Sequence, residues 1–135
     1  MIKRRAARSS ERGAAAVELA MTFPIVVIIL IVIIEFARLW SMQATISDAA
    51  RISARYASIH SEDATVVADA QAEATAVPGL VDWSTATVGV TVDCDGTGSA
   101  LSVISVDPGS ITTWFANAIG SSFSLTATGE MPCGG

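Results

Sequence analysis

The feature that most limits what this chain can fold into is an uncharged run from Leu19 to Ile34, bounded by Glu18 and Glu35. As a helix the run is about 24 Å long at ~1.5 Å per residue, and with Ala14 to Val17 and Phe36 to Ala37 added the length is about 36 Å. That spans a hydrocarbon core of roughly 30 Å with some tilt. In 135 residues there is room for one membrane helix and one small domain outside it. The hydrophobic share of 51% and the mean hydropathy of +0.53 follow from the run.

Charge is distributed unevenly. Lys3, Arg4, Arg5, Arg8 and Arg12 against Glu11 make the first 12 residues +4, whereas no Lys or Arg follows Arg55 and the part from Tyr56 onward is −9. Basic residues beside a span mark its cytoplasmic side, so the amino terminus is expected in the cytoplasm and the carboxy-terminal domain outside. An acidic exterior argues against nucleic acid as a partner, because phosphate binding needs clustered cations. Cys94 and Cys133, the only cysteines, both fall in the exterior part. An oxidising compartment favours a disulfide between them, closing a loop of about 40 residues for roughly 4 kcal/mol; two separate thiols are the alternative.

A basic tail before an apolar run has three processing fates. A secretory signal would be cut at an A-x-A-like site, and no such triplet lies between Glu35 and Asp48. A plain uncleaved anchor is the default for a single-pass chain, but it leaves Glu18 unexplained. A carboxylate inside a membrane helix costs up to about 2.5–3.5 kcal/mol, so it usually has a purpose.

Glu18 is the fifth residue after Gly13. The arrangement resembles a type IV prepilin-like leader, a short basic segment ending in glycine. The resemblance implies that a prepilin peptidase cuts between Gly13 and Ala14, and that Glu18 pairs with a neighbouring subunit's new amino terminus. Two opposite charges in a low-dielectric setting stabilise each other where either alone is costly. The wider stretch is more specific. Gly13-Ala14-Ala15-Ala16-Val17-Glu18-Leu19-Ala20, then Pro24, a Val/Ile/Leu run, Glu35-Phe36-Ala37-Arg38 and Ala49-Ala50-Arg51-Ile52-Ser53-Ala54-Arg55-Tyr56-Ala57 resemble the TadE-like family, minor pseudopilins of the tight-adherence pilus system. Leu19 departs from the aromatic that the family more often carries there. The implied partners are a prepilin peptidase, other pilins or pseudopilins with their assembly machinery, and membrane lipid.

Along the chain, residues 1–13 read as the basic leader, with no stable fold expected for Met1 to Arg12. Residues 14–37 read as the transmembrane helix, 38–77 as an extracytoplasmic helical region and 78–135 as a small β-rich region. Glu35 and Arg38 are spaced to form an ion pair on one helix face, with Trp40 at headgroup level. Met42, Ile46, Ala49, Ile52, Tyr56 and Ile59 form one helical stripe, and no Gly or Pro interrupts the path from Pro24, so the membrane helix is expected to continue outward. A break at His60 to Asp63, with Ser61 as cap, precedes a helix over Ala64 to Val77 that ends at Pro78-Gly79. Strands are expected at Thr85 to Val92, Leu101 to Val106 and Ser122 to Thr128, with a helical patch at Trp114 to Ile119 between the last two. The fold class is α+β: a long amino-terminal membrane helix packed outside the membrane with a second helix and a small three-stranded antiparallel sheet.

Groups for chemistry are thin. His60 is the only histidine, no Lys follows Lys3, and two cysteines with one histidine are too few for a Cys/His metal site. Asp93-Cys94-Asp95-Gly96 lacks the first and last ligands of a calcium loop and reads as a solvated turn. No enzyme, cofactor or metal is expected. The composite expectation is a minor pseudopilin or assembly component of a tight-adherence pilus, and the alternative is an uncleaved anchor carrying an extracellular binding or sensing module.

Overall fold

The computed structural model describes residues 4–96, 98–109, 113, 116–118 and 120–133. The order of elements is α1 (Arg4–Ile59), α2 (Val66–Thr75), β1 (Thr87–Asp93), β2 (Ser99–Val106) and β3 (Leu125–Pro132). Two compact units divide between Phe36 and Ala37. The α+β class and the antiparallel three-stranded sheet expected above are both present.

In the first unit α1 is uncharged all round from Leu19 to Ile34, and its large side chains there are exposed, from 42% at Ile31 to 73% at Met21, except the half-buried Val27. This helix is long and apolar enough to cross a membrane. Pro24 lies inside it and brings no N–H to the carbonyl of Ala20. Thr22 Oγ1 donates to the Glu18 carbonyl oxygen at 2.8 Å, one turn back. The leader departs from expectation, since α1 begins at Arg4. Extending an existing helix avoids the cost of nucleation, and Ala and Arg are good helix formers.

In the second unit the sheet order is β1-β2-β3, with both pairings antiparallel. The register aligns Val88, Ile104 and Ala127 in one row and Val90, Ser102 and Gly129 in the next. These residues line the covered face. Along β2 every second residue is buried, namely Ala100, Ser102, Ile104 and Val106. The α1 residues Met42, Ile46, Ala49 and Ala50 join Ile104, Val106 and Ala127 in the larger core cluster. Val66 and Ala70 of α2 meet Ala57 and Ala100 in the smaller one, with Val90 and Val92 packed against it.

The buried line of α1 differs from the expected stripe. Met42, Ile46 and Ala49 are buried as expected, but Ala50, Ser53, Ala54 and Ala57 continue the line, while Ile52 and Ile59 are 43% and 62% exposed. Small side chains win because the helix comes very close to the sheet. A Cβ at Gly129 would lie 2.3 Å from the Ala50 carbonyl oxygen and 2.5 Å from its carbon. Beside this contact, the buried hydroxyls of Ser53 and Ser102 hydrogen-bond at 2.6 Å. Ser53 Oγ also has the Ala50 carbonyl at 3.2 Å, so neither hydroxyl lacks a partner.

Other boundaries shift by a few residues. The N-cap of α2 is Thr65, not Ser61, and its hydroxyl donates to Asp69 Oδ2 at 2.8 Å. The third strand runs over Leu125–Pro132 and leaves Phe123 38% exposed outside it. Because β3 is an edge strand, Pro132 at its end breaks no ladder. Of the expected helical patch, residues 116–118 are helical, and Trp114, Phe115 and Ile119 lie outside the described residues.

Replacing Gly129 by Ala should destabilise the second unit by about 1–3 kcal/mol, since the added carbon meets backbone that cannot rotate away. Denaturant unfolding of the full chain in micelles would show this as a lower midpoint. An unchanged midpoint would mean that the close approach is not there.

Candidate functional site

The amino-terminal junction takes its geometry from α1. Gly13, Ala14 and Glu18 are all exposed on this helix. Ala14 and Glu18 are four residues apart, so they lie on the same side with a rise of about 6 Å between them. A Cβ on Gly13 would meet nothing within 4 Å. The glycine therefore answers no packing need, and in a helix interior it is less favourable than Ala by about 1 kcal/mol. Among the described residues nothing calls for a carboxylate at position 18 either.

Glu35 and Arg38 are three residues apart on α1. The Arg38 guanidinium reaches the carbonyl oxygens of Pro108 and Gly109, the second at 3.1 Å. Sequence reasoning missed this contact because it joins residues 70 and 71 positions apart. Those carbonyls are held in place by Asp107, whose Oδ1 accepts from the Gly109 N–H and the Thr113 hydroxyl, both at 2.9 Å. The two bonds, the Gly109 N–H first, hold the Asp107 carboxyl below the ordinary aspartate range. Asp82 is lowered in the same way, by the Ser84 hydroxyl first and then by the Ser84 N–H.

Cys94 and Cys133 are joined in a disulfide, with Cα atoms 5.4 Å apart. The two cysteines directly follow β1 and β3, the edge strands, so the bridge closes one end of the sheet across the start of β2. Gly98 is needed there, because a Cβ would sit 1.8 Å from the Asp93 carbonyl oxygen. The Cys133 N–H donates to the Gly98 carbonyl at 3.0 Å.

At the far end of α1, Tyr56 and His60 stack with ring centroids 4.2 Å apart. The Tyr56 phenol is pushed up by burial and then by the charges of Asp69, Asp63 and Glu73, which marks a negative field around α2. Among the described residues no three His, Cys, Asp or Glu side chains are grouped to hold a metal ion.

Residues 13–55 match the family model for TadE-like protein. The match starts at Gly13 and ends at Arg55, within α1, and covers about a third of the chain. No curated protein and no solved structure matches the chain.

Because Asp107 has its pKa lowered by folding, its contribution to the loop is present above the ordinary aspartate value and is lost as pH falls through the lowered one. The Gly109 amide resonance should therefore shift on acidification below about pH 4. The shift should vanish in Asp107→Asn. A Gly109 resonance that titrates alike in both proteins would remove Asp107 as its partner.

Proposed function

We propose that this protein is a minor pseudopilin or assembly component of a tight-adherence pilus, cut by a prepilin peptidase between Gly13 and Ala14. The observation that carries the reading is Glu18, an exposed carboxylate in a membrane-length helix, placed one turn from Ala14. The family match to residues 13–55, which begins at the proposed cut, supports it.

The basic leader keeps the amino terminus in the cytoplasm while the apolar part of α1 spans the bilayer. Cleavage removes the arginines and leaves an ammonium at Ala14, in a mature chain of 122 residues. That charge and the Glu18 carboxylate of a neighbouring subunit then compensate each other in lipid. An unpaired carboxylate at this depth is penalised, so only packings that supply an ammonium are stable. Glu18 thereby selects the register in which helices of different subunits pack. The exterior unit makes the remaining contacts, and the protein acts by binding and not by catalysis.

Replacing Gly13 by Tyr should leave the precursor uncut, because the side chain obstructs the peptidase while the fold has space for it. Intact-mass measurement of the membrane-bound protein should then find the full chain in the variant and the 122-residue chain in the wild type. The same mature mass in both would contradict the proposal. Replacing Glu18 by Leu should preserve insertion and cleavage but strongly reduce co-isolation with other pilin subunits. An uncleaved anchor would be indifferent to both changes.

A further inference from the structure

Within the second unit β3 and α1 run side by side. Gln43 Nε2 donates to the Thr126 carbonyl at 3.2 Å, and further along the Ala50 carbonyl lies against Gly129. Thr126 to Gly129 is about 10 Å of strand and Gln43 to Ala50 about 10 Å of helix, so the two elements keep pace. Residues 120–124, all exposed and just before β3, therefore fall back to the level of Arg38. Arg38 itself reaches the carbonyls of Pro108 and Gly109, just after β2. Both ends of the β2–β3 connection are thus held beside the first turn of α1 in this unit.

That turn is close to the uncharged run whatever the angle between the two units. Arg38 is four residues past Ile34, which is at most about 14 Å of extended chain and about 6 Å of helix. The polar layer on each side of the hydrocarbon is roughly 5–8 Å deep. No charged residue lies between Asp107 and Glu130. The charges nearest to Arg38 are Glu35 along α1, Asp107 after β2, and Asp82 in the loop whose Gly79 abuts Thr45. Asp82 accepts from Ser84, and Asp107 from Gly109 and Thr113. Asp48, Arg51 and Arg55 lie farther out on α1, and the remaining acids lie before or on α2 and towards the disulfide end of the sheet.

We propose that residues 120–124 rest on the surface of the bilayer that α1 crosses, with Phe123 entering the headgroup layer and Arg38 as the positioning residue that fixes their depth. Phe123 is 38% exposed and Trp40, two residues on from Arg38, is 70% exposed, and aromatic side chains favour this layer. Three acids against one arginine leave no attraction to anionic lipid. The contact is carried by Phe123 and uncharged hydroxyls, and zwitterionic headgroups fit it. The inference rests on α1 crossing a membrane and is indifferent to cleavage at Gly13.

The test reconstitutes the full chain in phosphatidylcholine vesicles with one fluorophore on an added cysteine, at Ser122→Cys, Ile59→Cys or Ile28→Cys, the native disulfide staying oxidised. The fluorophore at 122 should lose most of its emission to phosphatidylcholine spin-labelled on the headgroup and little to aqueous iodide, whereas the one at 59 should do the reverse. Phosphatidylglycerol in the vesicles should not strengthen the lipid quenching at 122. Adding Arg38→Gln should return position 122 to the pattern of position 59, with a cooperative denaturant transition retained. Adding Phe123→Ser, which leaves the Arg38 contact in place, should weaken the lipid quenching at 122.

Iodide quenching at 122 as strong as at 59 overturns the proposal. Protection from both quenchers does so too, since protein then covers the segment, and so does quenching at 122 that survives both Arg38→Gln and Phe123→Ser. Position 28, read with a lipid spin-labelled in mid-chain, separates the two ideas: 28 in lipid with 122 in water refutes only this contact, whereas 28 in water refutes the membrane helix on which it rests.

Discussion

The second unit depends on a contact between two pieces of backbone. Gly129 of β3 lies against the Ala50 carbonyl of α1 at a distance that admits no side chain. With the helix so close, the residues beside the contact must also be small, and Ser53, Ala54 and Ala57 on α1 face a sheet that offers Ala100 and Ser102. Towards Met42 and Ile46 the partners become larger, with Ile104, Val106 and Leu125 filling the core. The Ser53–Ser102 bond adds direction to a contact that dispersion alone would leave free to slide. The part of the helix from Ala37 onward is thus held in one register on the sheet.

Function makes a different demand on the same helix. Between Leu19 and Ile34 α1 carries no charge, with Glu18 and Glu35 at the two ends of the run; from Ala37 it has a buried side that is mostly small residues and an exposed side that carries Asp48, Arg51 and Arg55. A membrane-length apolar run and a side that packs on a sheet need different compositions, and α1 carries the two in succession along its length. The disulfide closes the end of the sheet away from the Val106 and Leu125 row, where the paired residues Ala100 and Met131 leave little core. A domain of this size with few aromatic residues gains from such a closure.

Much of this was legible in the residues. The alternation of Val88, Val90 and Val92 with Thr87, Gly89 and Thr91 places β1 within two residues at its start and one at its end. The membrane helix and the junction at Gly13 and Glu18 stand out because charge inside an apolar run is rare. The buried side of α1 was harder to read. Size ranks Ile52 and Ile59 as core, yet a sheet that demands close approach buries Ala50, Ser53 and Ala57 instead. Gly129 and Pro132 look like strand breakers, although the first admits α1 and the second ends an edge. The Arg38 contact with the 108–109 carbonyls carries no local signal at all. The signal that could have found the small-residue line was the spacing of Ala50, Ala54 and Ala57, which reads as a surface for another backbone once a glycine-bearing strand is allowed to face it.

The central claim is that a cytoplasmic cut frees an amine beside a carboxylate sited in the membrane. Amino-terminal sequencing of the wild-type protein, taken from membranes of cells with and without a prepilin peptidase, tests it most directly. The account predicts chains starting at Ala14 in the first case and chains retaining the arginine-rich leader in the second. A leader still attached in both would contradict it and leave a tethered domain in place of a pilus subunit.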